Sequence, residues 1–150
     1  MKPQFSYDTS DLIFRLLFSL IFLGLGLEHI FSDELIQGMM PAWVGSKRVA
    51  SLIAGVVLLG GGLSVAIGYN VRAAAMLLAS FLIVVTLTIH LPALFHKPAD
   101  LPANWNWLWD VYQRSNFFKN LCLLGVCFQL THHRVGKFAI GGQGKVSGRQ

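Results

Sequence analysis

The stretch Ala73–Leu94, AAAMLLASFLIVVTLTIHLPAL, decides the fold. It is apolar on every side and long enough to cross a hydrocarbon core of about 30 Å, which takes roughly 20 helical residues. Unpaired backbone cannot face lipid, so such a run must be a helix and not an isolated strand. Two more runs of the same kind, Leu12–Phe31 and Val49–Ile67, lie before it, and a shorter one, Phe117–Leu130, comes after it. The fourth needs flanking residues from Asn116 to Thr131 to reach spanning length. The reading is an all-α integral membrane four-helix bundle over residues 1–131, followed by a flexible basic tail, 132–150.

Composition agrees. Hydrophobic residues make up 54% and charged residues 13% of the 150, far from soluble norms, so one membrane domain is the economical division. The net charge of +5 comes from Lys and Arg scattered through short loops and the tail, so it speaks for topology and not for nucleic acid. Four spans place Lys2, Arg15, Arg72, Arg134, Lys137, Lys145 and Arg149 on one side. Lys47, Arg48, Lys97, Arg114 and Lys119 fall on the other. The excess of seven over five puts both termini in the cytoplasm. The first run comes after Asp8 and Asp11 and ends in Glu28-His29, not in a small-residue cleavage site, so it reads as a retained span.

Local signals fill in the connections. Asp11 or Ser10 is the expected cap of the first helix, and Arg15, one turn inside, is expected to snorkel to the headgroups. Residues 32–48, with Pro41 and Trp43, should form a short amphipathic return over the bundle mouth. Gly60-Gly61-Gly62 permits close helix approach, and Gly68-Tyr69-Asn70-Val71-Arg72 makes a tight turn that folds the second and third spans into an antiparallel hairpin. Residues 95–115, with Trp105, Trp107, Trp109 and Tyr112, read as an outer connection. Its tryptophans suit an interfacial belt first and aromatic contact with a ring-shaped ligand second, as does Trp43. Cys122 and Cys127, about 140° apart around a helix, cannot pair locally and read as packing residues. Metal, Walker, dinucleotide and Ser-His-Asp signatures are absent from the sequence.

What remains is polarity at membrane depth, which is costly and marks function. Glu28 and His29 near the end of the first span, His90 near the end of the third, and Lys119 and Asn120 near the start of the fourth fall at similar depth on the outer side. Glu28 and Lys119 can neutralise each other as a structural ion pair. The functional alternative is a ligand-binding layer in which His90 is a hydrogen-bond partner and proton carrier, while Lys119 and Asn120 supply donors to a quinone or a small polar head.

These residues resemble a known family. Gly24-Leu25-Gly26-Leu27-Glu28-His29-Ile30-Phe31, the hairpin from Gly61 to Ala75, and above all Asn116-Phe117-Phe118-Lys119-Asn120-Leu121-Cys122-Leu123-Leu124-Gly125 resemble the DoxX family of small four-span membrane proteins, over roughly Leu12 to Gly136. The resemblance implies a multi-pass protein of a bacterial or archaeal inner membrane, in a family named after subunits of a thiosulfate:quinone oxidoreductase. It also implies association with membrane oxidoreductase complexes that handle oxidative stress. Family likeness constrains fold better than activity. The chain offers no flavin motif, metal cluster or dithiol, so electron transfer would need an exchangeable quinone or a redox partner protein. Two functions are expected. One is a membrane subunit of a quinone-linked oxidoreductase, either alone or as an oligomer. The other is a non-enzymatic membrane protein that binds or passes a small solute or anchors a partner.

Overall fold

A computed structural model describes residues 6–98 and 101–140. Among the described residues there is no strand. The helices are α1 (Tyr7–Phe31), α2 (Glu34–Met39), α3 (Lys47–Ile67), α4 (Val71–Val85), α5 (Leu91–Ala93) and α6 (Asn106–Leu130). A π-helical segment, Thr86–His90, joins α4 to α5, and a 3₁₀ turn, Ala103–Trp105, leads into α6. Tyr7–Phe31, Lys47–Ile67 and the composite Val71–Ala93 are long and apolar enough to cross a membrane. Leu17, Leu20, Val56 and Val84 on these helices are each at least 60% exposed, an outward-facing apolar surface that only a lipid bilayer makes favourable.

Packing runs in the order α1, α3, α4, α6, each against the next. The core seam holds Phe18, Phe22, Leu58, Val65, Ala75, Leu78, Leu82, Cys127 and Leu130. At Gly61 a Cβ would lie 2.7 Å from the Leu78 side chain, so only glycine lets α4 come this close to α3. The hairpin turn is as tight as the sequence implies. Gly68 takes a left-handed φ of 73° and Asn70 one of 41°, both conformations that glycine and asparagine adopt most readily. The short return after α1 is α2, ended before Pro41.

Three sequence expectations change. First, α1 begins four residues before Asp11: Ser6 is its cap, its hydroxyl accepting from Thr9 N–H at 3.2 Å, which leaves Asp11 free for tertiary work. Second, α6 starts at Asn106 and absorbs Asn106–Ser115 from the expected outer connection. No proline or glycine lies between Trp105 and Leu124 to stop it, and Lys119 and Asn120 sit in its middle rather than at its start.

Third, Arg15 does not snorkel. It is 0% exposed, because three acceptors meet it where it stands. Its Nε donates to Asp11 Oδ2 at 3.0 Å and its Nη1 donates to Ala66 O at 2.6 Å and Val65 O at 3.4 Å, carbonyls of the last turn of α3, where a cation is favourable. Asp11, 4% exposed, also accepts from Gly136 N–H at 2.9 Å and meets His133 Nε2 at 2.6 Å. The chain after α6 is thereby drawn under the bundle. Lys137 N–H donates to Asp8 Oδ1 at 2.9 Å, Tyr7 donates its hydroxyl proton to Arg134 O, and Ile140 N–H reaches Ile67 O at 3.0 Å. Residues 132–140 are therefore a docked strap and not a free tail; residues 141–150 of the expected tail lie outside the described residues.

Candidate functional site

At the end of the bundle opposite the termini, the helices separate around a cavity of about 280 Å³. α1 and α6 stand at the two ends of the packing order, and residues of α2 and of the α2–α3 connection, among them Ile36, Met39, Met40 and Val44, help to line the space. Phe22, Leu25, Ile36, Met39, Met40, Leu58, Phe81 and Leu123 make most of the wall. Glu28, His29, His90, Lys119 and Asn120, which the sequence singles out, all line this one cavity, and Tyr112, Asn116 and Thr88 join them.

Four of the five, His29, His90, Asn120 and Lys119, are held by specific partners. His29 Nδ1 lies 3.0 Å from Ser51 Oγ, and the same hydroxyl donates to His29 O at 3.2 Å, so the end of α1 and the start of α3 are cross-linked beside the cavity. His90 Nδ1 is 2.9 Å from Gln113 Oε1 on α6. Asn120, 5% exposed, donates through Nδ2 to Thr86 Oγ1 at 3.1 Å. Lys119 Nζ donates to Asn116 Oδ1 at 2.6 Å, one turn back on its own helix.

The π-helical segment explains how His90 reaches this wall. Pro92 has no N–H to offer the carbonyl of Thr88, and the Thr88 hydroxyl takes Val84 O at 2.7 Å, so ordinary i→i−4 bonding is disturbed on both sides. The chain answers with a wider turn, Leu91 N–H bonding Thr86 O. One extra residue in a turn rotates the downstream side chains by about 100°, and such bulges recur at functional sites.

The expected Glu28–Lys119 ion pair does not form. Glu28 is exposed, Lys119 is half-buried with its ammonium turned to Asn116, and the ion pairs among the described residues join other groups. With α1 and α6 held apart by the cavity, the two charges face a shared space instead of each other. Nor are the tryptophans brought to the cavity. Trp43, Trp105 and Trp107 are more than half exposed and away from it. Trp109 instead donates Nε1–H to Ala93 O at 3.3 Å, tying α6 to α5.

Sequence reasoning missed Ser51, Thr86 and Gln113. All three are uncharged side chains buried in helices, at most 6% exposed, and their spacing gave no signal; Gln113 was further hidden by being read as part of a loop. In the first turn of α3, Arg48 closes the rim. Its Nη1 lies 2.8 Å from Asp33 Oδ2 and its Nη2 donates to Ile30 O at 2.9 Å, at the C-terminal end of α1 where a cation is favourable. The Arg48 guanidinium holds the Asp33 carboxyl below its ordinary range.

Among the described residues no group of three His, Cys, Asp or Glu side chains is placed to hold a metal ion. The chemistry available is hydrogen bonding and proton exchange with a ligand that has an apolar body and a polar edge. No curated protein and no solved structure gives a significant match to the chain. The DoxX family model matches residues 10–91, from α1 through His90 to the start of α5. That match leaves the Asn116–Gly125 motif of α6 outside it, and it covers more than half of the 150 residues. With its long apolar helices and this match, the chain is a membrane protein that belongs to the DoxX family.

Proposed function

We propose that this protein is the membrane subunit of a quinone-linked oxidoreductase in a bacterial or archaeal inner membrane, with the cavity between α1, α3, α4 and α6 as its quinone-head site. The observation that carries the reading is the convergence of five polar side chains, Glu28, His29, His90, Lys119 and Asn120, on one mostly apolar cavity. A structural ion pair needs two groups; surplus polarity at membrane depth is retained where it meets a ligand. A quinone head has a flat apolar ring that suits Phe22, Phe81, Leu25 and Leu123, and two oxygens, one to accept from Lys119 and the other to exchange a proton with His90. The chain's own residues would orient the ring and exchange protons at its oxygens. Electrons would come from a redox partner protein docked on the membrane domain.

In this reading α6, although more polar than the other three, is the fourth crossing, and both termini lie in the cytoplasm. The cavity then opens toward the outer face. The test is to purify the protein in mild detergent, extract bound lipids and identify co-purifying proteins. Quinone recovered from wild type and lost in Lys119→Met and His90→Ala supports the site. Quinone content equal to that of the surrounding membrane in all three overturns it. A reporter fused after Gln150 that is active only outside the cytoplasm would overturn the orientation.

A further inference from the structure

Gln113 is 1% exposed and its Nε2 has no hydrogen-bond partner, while its Oε1 is 2.9 Å from His90 Nδ1. It stands between two cavities. His90 lines the first and not the second; Gln113 lines the second, of about 270 Å³, and not the first; Met39, Thr88 and Ile89 line both. The amide N–H of Gln113 is thus a buried donor left without a partner, so what fixes this side chain is the contact of its Oε1 with His90.

We propose that Gln113 is a positioning residue that sets the tautomer of His90, and through it makes the first cavity select a ligand that offers an O–H over one that offers only a carbonyl. An amide oxygen at Nδ1 requires the proton there, because the bond made by one imidazole nitrogen decides the state of the other. Nε2 of a neutral His90 is then a bare acceptor. A hydroquinone or other phenolic head satisfies this acceptor; the oxidised quinone leaves it unpaired, at a cost wherever water does not replace the bond. The selectivity rests on the quinone-site reading, whereas the tautomer does not.

The experiment has two arms on the full-length protein in detergent micelles. In the first, ¹⁵N-histidine NMR, with the His90 signals assigned by their loss in His90→Ala, reads the protonated nitrogen. The expected result is Nδ1–H with bare Nε2 in wild type and Gln113→Glu, whose carboxylate keeps the acceptor, and a mixture of tautomers in Gln113→Leu. Nε2–H in wild type, or the same tautomer in Gln113→Leu, overturns the positioning role. In the second, anaerobic binding of a decyl-benzohydroquinone and of its benzoquinone is compared. Wild type and Gln113→Glu should prefer the hydroquinone about tenfold, and Gln113→Leu by less than about threefold, as expected for one hydrogen bond lost to an unpaired group. Equal affinity for the two forms in wild type overturns the selectivity. Binding of neither form defeats the quinone reading and the selectivity together, and the NMR arm still decides the role of Gln113.

Discussion

The two ends of the bundle treat ionisable residues in opposite ways. At the end carrying the termini, Asp11 and Arg15 are sealed in, and Arg15, Gly136 and His133 together occupy both carboxylate oxygens of Asp11. At the opposite end Glu28 and Lys119 carry the same pair of charges, yet they stand apart across an open cavity. The difference lies in what surrounds them. The first pair meets carbonyls at the end of α3 and a strap that folds over it; the second meets a gap between the first and last helices in the packing order. Charge buried with its partners holds a fold together, and charge left facing a space is available to a ligand.

The largest effect should come from breaking the closed end. Arg15→Ala leaves the Asp11 carboxylate buried without its cation, held only by His133 and the Gly136 N–H, and should cost on the order of 3–5 kcal/mol in reversible denaturation in detergent. Replacing both partners, Asp11→Leu with Arg15→Met, should recover most of that loss, because no lone charge is left behind. A single variant as stable as wild type would erase the contrast between the two ends.

At the open end His90→Ala should weaken ligand binding about tenfold, or ~1.4 kcal/mol, while thermal stability stays within a degree or two of wild type. Calorimetry and ligand titration on the same preparation check both halves. A loss of stability without a loss of affinity would make His90 a packing residue like those at the closed end.

Smaller still is the coupling between Glu28 and Lys119. A double-mutant cycle should return less than about 1 kcal/mol, the range of exposed pairs, since no ion pair joins them. A coupling of several kcal/mol would mean that the cavity closes on itself in the membrane and that the two ends are alike.

The smallest effect concerns the rim. The Asp33 carboxyl is held below its ordinary value by Arg48, so its stabilising effect is present above the unfolded-state pKa and fades as pH falls through the lower folded value. The Tm difference between wild type and Asp33→Asn should therefore be present at neutral pH and vanish as pH falls below the usual carboxylate range. A difference that persists into acid would show that Asp33 acts by packing and not by charge.

Some of this was legible without a structure, for identifiable reasons. Helicity and membrane immersion of α1, α3 and α4 follow from local composition, since about 20 apolar residues in a row have one stable form in lipid. The hairpin turn at Gly68–Asn70 was legible for the same reason: its backbone demand is local and written in residue type. The expectation that Glu28, His29, His90, Lys119 and Asn120 meet in one layer came from counting rise along each span, and the structure brings all five to one cavity, although α6 begins about ten residues earlier than that count assumed. Whether Glu28 meets Lys119 could not be read this way, because depth is a one-dimensional quantity and contact depends on which helices are neighbours. Nor could the roles of Arg15, Asp11, Gln113 and Ser51, whose partners lie 22 or more residues away, apart from the Asp11–Arg15 bond itself. Residue order alone thus dictates a set of lipid-facing helices and the layer of polarity within them. Which polar groups are sealed and which are left facing a cavity is settled by the packing of those helices, because burial and pairing depend on the order in which they stand and not on any one of them.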